Sequence, residues 1–232
     1  MMLVSGIMVT NLTIPTWAAK PMPANFEPPP RRDAPRGGTT GGGSRPVALA
    51  CASTSTLSNR TPVLTALSPG KYIGLSRLQR PTFFVLLSPG IAQSAEFSLF
   101  DGEMNGIYQT RIPISDRNGL ISINLPEDAP SLVKNKIYYW SFAITCNPSD
   151  RTEDWVVGGW IEHVPLNQTL QQQLAKASAI ERVSLYAKQA FWYDAVATII
   201  ELQHQQPLNT QISQSWKELF TSVGLNTIAI AN

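Results

Sequence analysis

The chain has 232 residues, 43% of them hydrophobic, and a formal net charge of +2 with only 15% charged residues. That length can bury a real core in one or two domains. Such weak electrostatics excludes the basic stripe of a nucleic-acid binder and the polybasic patch of a membrane-surface protein.

Residues 1–20 read as a signal-like segment. The run MMLVSGIMVTNLTIPTWAAK is apolar but too short and too broken to span a bilayer. Thr16-Trp17-Ala18 supplies a candidate small-residue cleavage site, but the basic start of an ordinary secretory signal is missing. The expectation is export, with an inert leading tail as the alternative. No later segment is apolar enough to cross a membrane.

Residues 21–46 are low in complexity. Pro28-Pro29-Pro30-Arg31-Arg32 is followed by Pro35-Arg36-Gly37-Gly38 and Gly41-Gly42-Gly43-Ser44-Arg45. Such a composition buries too little surface to offset its ordering entropy, so a disordered Pro/Gly/Arg arm is predicted. Glu27 and Asp33 partly cancel its arginines, which favours a spacer over an anion-binding arm. The glycine run lacks the Lys-Ser or Lys-Thr of a phosphate loop.

Residues 47–165 carry the strand signals. Runs at 62–67, 82–87, 96–100, 107–114 and 120–125 each end at Pro, Gly, Asn or Asp turn formers. A hairpin over Ile137–Val164 follows. Tyr138, Trp140, Phe142, Ile144 and Cys146 alternate onto one apolar face. The opposite face, Ile137, Tyr139, Ser141, Ala143 and Thr145, is smaller and suits a half-exposed strand. Gly158 and Gly159 in the second arm predict a bulge or a close backbone approach. About seven short strands with these turns predict a mainly β, antiparallel β-sandwich. The Trp140-to-Cys146 stretch is similar to the buried Trp and Cys of immunoglobulin domains in residue type but not in order or spacing. The expectation is therefore immunoglobulin-like in architecture only.

Residues 166–232 change to a helical period. Ile212, Trp216, Leu219, Phe220 and Val223 share one helix face, with Asn209 or Thr210 as cap and Gly224 as stop. Tyr186, Ala195, Ile199, Leu202 and Pro207 match the second half of a tetratricopeptide template, while Ala179 and Val183 miss the first half. One such repeat cannot bury its own apolar face. The tail is thus expected to pack on or beside the sandwich, with another protein as the alternative.

Cys51 and Cys146 are the sharpest pair, because an even cysteine count in an exported protein points to a disulfide. Two buried free thiols are the alternative. His163 and His204 have no second ligand at helical spacing, so no metal and no cofactor is expected. Asp150, Arg151, Glu153 and Asp154 cluster in the hairpin turn, where paired carboxylates could act on sugars. Solvated turn carboxylates are the commoner case. Asp101-Gly102-Glu103-Met104-Asn105-Gly106 has calcium-compatible oxygens but lacks the third ligand and the terminal Glu, so a turn is expected. Trp155, Trp160, Tyr139 and Arg151 make the candidate binding surface.

The segments PPPRRDAPRGGTTGGGSR, LTALSPG, PTFFVLLSPG, YYWSFAITCNPSDR, GGWIEHV and WYDAVATIIEL, in order, resemble a family of exported cyanobacterial proteins classed as a domain of unknown function. The resemblance runs from about Pro28 to the end. It implies a cyanobacterial envelope or extracellular setting and carries no functional residues over. Ala190-Phe191 departs from it, where a Gly-containing turn is expected before Trp192-Tyr193-Asp194. The functional expectation is an exported, non-catalytic interaction or accessory module, with an envelope protein as partner. The alternatives are a protein that binds carbohydrate or surface polysaccharide, and a hydrolase using the 150–154 turn.

Overall fold

The computed structural model describes residues 22–30, 64–87, 94–114, 119–147 and 149–230. The signal-like segment 1–20, the arm from residue 31 to 46 and Cys51 lie outside the described residues.

Among the described residues, eight strands build two sheets. They are β1 (Leu64–Ala66), β2 (Ile73–Ser76), β3 (Thr82–Leu87), β4 (Ser94–Asp101), β5 (Gly106–Pro113), β6 (Gly119–Asn124), β7 (Ile137–Ile144) and β8 (Trp155–His163). One sheet has the order β1-β3-β6 and the other β2-β8-β7-β4-β5. These strands pair antiparallel except β2, which runs parallel to β8 with Ile73 opposite Trp160. The purely antiparallel expectation is corrected at this edge. β2 escapes pattern reading because it is four residues long and contains Gly74.

The alternation in β7 explains the core. Tyr138, Trp140, Phe142 and Ile144 are buried on one face. Phe83 of the smaller sheet lies 5.2 Å from Phe97 and 5.0 Å from Trp140 of the larger. Burying each such ring stabilises by roughly 1.5–3 kcal/mol. The other face of β7 is not half-exposed as expected: Tyr139, Ser141 and Ala143 are buried too. β7 is an interior strand between β4 and β8, so its edges are closed as well as its faces.

Gly158 and Gly159 mark close approach without a bulge, since the β7–β8 register is unbroken. A Cβ on Gly158 would lie 2.1 Å from the Trp140 carbonyl oxygen, and one on Gly159 2.5 Å from the Ser68 Cβ.

The tail forms α1 (Gln168–Lys176), α2 (Ala179–Lys188), α3 (Trp192–Gln205), α4 (Thr210–Thr221) and the short α5 (Asn226–Ile230). Asn167 caps α1, Ser178 and Glu181 form a capping box on α2, and Asn209 caps α4. Each supplies an acceptor to otherwise unpaired first-turn amides. The three-residue turn before α3 is closed by Ala190 at φ +63°, the left-handed conformation that glycine adopts most easily.

α3 lies against β2 and β3. Gly74 allows this, because a Cβ there would come within 2.8 Å of the Tyr193 ring. Trp192 Nε1 donates to the Leu67 carbonyl (2.9 Å), and the Leu75 amide donates to the Ala190 carbonyl (2.9 Å).

Residues 22–30 are a correction to the disordered arm predicted over 21–46. They run extended along α2 and α4, with Ala24 fully buried and Phe26 7% exposed. Composition missed this because two anchors at spacing two suffice when the backbone is also held. The Ala24 amide donates to Glu218 Oε2 (3.0 Å) and the Phe26 amide to Ser222 Oγ (3.0 Å). The Glu27 amide donates to the Ala187 carbonyl (3.1 Å), and Ser184 Oγ donates to the Met22 carbonyl (2.7 Å). The Phe26 ring meets Trp192 edge-on at 5.3 Å and reaches Tyr72 at 6.2 Å.

Candidate functional site

Three of the four residues expected to form a binding surface are inside. Tyr139 is 4% exposed, Trp155 5% and Trp160 4%. Tyr139 and Trp160 stand opposite each other on β7 and β8 with ring centroids 5.0 Å apart, and form a small cluster with Ile73. Trp155 belongs to the main core. These rings therefore do not present a sugar platform, which corrects the expected aromatic surface. The alternation that put Tyr139 on the weaker face was legible, but not that this face is buried.

Arg151 is exposed. It opens a single 3-10 turn, Arg151–Glu153, ahead of β8. Its guanidinium pairs with Asp154 and reaches Glu96 Oε1 at 3.3 Å. The Asp154 hydrogen bond, then Glu96, hold its proton more tightly than usual. Asp154 also accepts from the Cys146 amide (3.3 Å). Asp150 caps the turn by accepting from the Thr152 amide (3.0 Å) and hydroxyl (2.6 Å), which holds its carboxyl below the usual range. Both carboxylates thus fasten the turn. Cys146 carries no free thiol. Its expected partner, Cys51, lies outside the described residues.

Asp101 behaves in the same way. It accepts from Asn105 Nδ2 (2.9 Å), the Asn105 amide (2.8 Å) and the Glu103 amide (2.9 Å). The Asn105 side chain is the main reason its pKa is lowered. Beside it, a groove of about 620 Å³ runs between Glu103, Lys136 and Val133. His163 is buried on β8 beside the Ser76 carbonyl (3.2 Å). His204 lines a cleft of about 510 Å³ between α3 and the β3–β6 face, with Phe84, Leu120 and Ile200. Among the described residues no group of three or more His, Cys, Asp or Glu side chains could hold a metal. Among them, too, no helix is long and apolar enough to cross a membrane.

The feature with the most directed chemistry was not read from the sequence. It is the groove between α2 and α4 that holds residues 22–30. Two main-chain amides of the segment meet side-chain acceptors on α4 and its C-cap, and one carbonyl meets a side-chain donor on α2. Main-chain hydrogen bonds of this kind, with Ala24 and Phe26 buried at alternate positions, hold the segment in place. Glu218 near the end of α4 and Ser222 at its C-cap, four residues apart, were the available signal.

These observations define a β-rich protein of two sheets with a helical tail, and a groove in that tail filled by an extended segment. A family model described as Domain of Unknown Function (DUF928) matches residues 40–232, and the chain belongs to that family. No curated protein and no solved structure matches it. The matched region contains the two sheets and the five helices of the described residues, and begins after the segment 22–30.

Proposed function

We propose that this protein is an exported, non-catalytic interaction or accessory module of the cell envelope, and that it works by holding extended peptide. The observation that carries this reading is the capture of residues 22–30 in the α2/α4 groove through their main chain. We read the facing sheets as an immunoglobulin-like sandwich, supported by the burial of Trp140 between them. We read α2 and α3 as one tetratricopeptide-like hairpin, supported by the burial of Tyr186, Ala195, Ile199 and Leu202. A disulfide between Cys146 and Cys51 would suit the exported setting.

The test is a photo-crosslinking residue at Gln214, which lines a cavity beside Met22 on α4, in the full chain in living cells. Specific protein adducts recovered from the envelope fraction are expected. Recovery of the protein in the cytosolic fraction, or in the envelope with no protein adduct at Gln214, would sink the reading.

A further inference from the structure

The segment in the groove is small in its demands. Only Ala24 and Phe26 are buried, and the flanking side chains Pro23, Asn25 and Glu27 point away and are exposed. The rest of the recognition is main chain, which any extended sequence carries. The groove itself lies within the family-matched region, while its occupant precedes it. Site and ligand are therefore separate parts of the chain. Among the described residues, a cavity of about 160 Å³ adjoins Met22 and runs along α4 past Gln214, Gln211 and Thr210.

The chain from residue 31 to residue 63 joins the segment to β1. A connection of that length spans up to ~110 Å when extended. Even with Cys51 tied to Cys146, the residues from 31 to 50 could reach up to ~65 Å, so covalent length permits the segment to enter the groove of a second copy. The sequence whose fit is established is this chain's own, so a second copy brings a ligand of known complementarity.

We propose that the α2/α4 groove is a site for extended peptides of the form small-x-aromatic, and that it exchanges its own residues 22–30 for those of a second copy of this chain. This rests on the peptide-holding reading above and names its partner. In an exchanged pair each groove holds the other copy's Ala24 and Phe26, and each Phe26 stands on the other copy's Trp192 and Tyr72.

The experiment uses the full chain with a protease site inserted between Gly42 and Gly43. The protein is folded, then cut, and a fluorescent peptide of residues 21–31 is added. Saturable binding to the cut protein is expected, at least ten-fold weaker for the peptide carrying Phe26→Ala. Two differently tagged uncut copies, mixed at high concentration, are expected to co-purify and to separate when excess peptide is added. Three results overturn the proposal. The cut segment leaves, the near-ultraviolet circular dichroism is unchanged, and no peptide binds. The segment stays and neither exchanges with peptide nor pairs the tagged copies. Or cutting alone abolishes the near-ultraviolet signal, which makes the segment part of the folding core. Adducts at Gln214 with other envelope proteins but never with a second copy would remove the partner named here and leave the module reading standing.

Discussion

Tyr193 is the residue on which sheets and helices close. Its hydroxyl accepts from Trp140 Nε1 (2.7 Å) and donates to the Trp160 carbonyl (3.1 Å). Burial raises its pKa far above the usual phenol value, so it stays a donor. Tyr193→Phe leaves a buried indole N–H and a buried carbonyl without this partner. Unsatisfied groups of this kind cost about 1–3 kcal/mol, and urea unfolding of the variant should show a loss of that size. Its neighbour Asp194 sets a pH dependence. Its carboxyl accepts from the Arg77 amide (2.9 Å) and pairs with Arg77 Nε (3.1 Å). Desolvation nevertheless outweighs Arg77 and Ser76 and pushes its pKa up to about 6. Tyr186 nearby also feels the charges of Arg77, Asp194 and Arg182. The folded chain therefore binds more protons than the unfolded chain between the ordinary carboxylate value and about 6. This contribution to stability is fullest below that window and falls as pH rises through it. Urea midpoints measured from pH 4 to 7.5 should carry this downward component in the wild type and lack it in Asp194→Asn.

At the scale of elements, two short features position the tail. Ala190 holds the left-handed conformation that turns α2 into α3. A non-glycine residue there is strained by about 1–2 kcal/mol, and glycine gives part of that back as unfolded-state entropy. Ala190→Gly should stabilise the protein by roughly 0.5–1 kcal/mol, read as a rise in the urea midpoint at unchanged slope. The sequence departure at Ala190-Phe191 made the turn hard to see, and it is present all the same. Gly74 is the second feature. A Cβ on it would meet Tyr193 at 2.8 Å and Trp192 at 3.0 Å. Gly74→Val should push α3 off β2, with a loss of about 1–3 kcal/mol as in other overpacked cores. Tryptophan fluorescence should shift to the red as Trp192 gains water, with the far-ultraviolet spectrum retained.

For the whole molecule, the disulfide proposal makes a prediction at long range. A bridge from Cys146 to Cys51 would close a loop of about 95 residues, for which chain entropy gives up to ~4.7 kcal/mol. Alkylation under denaturing conditions should add no mass without reductant and two adducts with it. Reduction should lower the unfolding midpoint. Two adducts without reductant would rule the bridge out.

Local chemistry determined much of this protein from its sequence. The alternation around Trp140, the turn formers after each strand and the caps at Asn209 and Gly224 act within a few residues, and the observed elements follow them. The same reading expected close backbone approach at Gly158 and Gly159, because a glycine inside a strand has few other uses. What only the tertiary structure decided depends on groups far apart in the chain. The parallel pairing of β2 with β8 needs a crossover that no short window contains. The burial of Tyr139 and Trp160 depends on what covers a sheet face, and alternation assigns faces without saying which is wet. The placement of residues 22–30 depends on Glu218, Ser222 and Ser184, whose side chains supply the hydrogen bonds that a Pro-rich segment cannot make with itself.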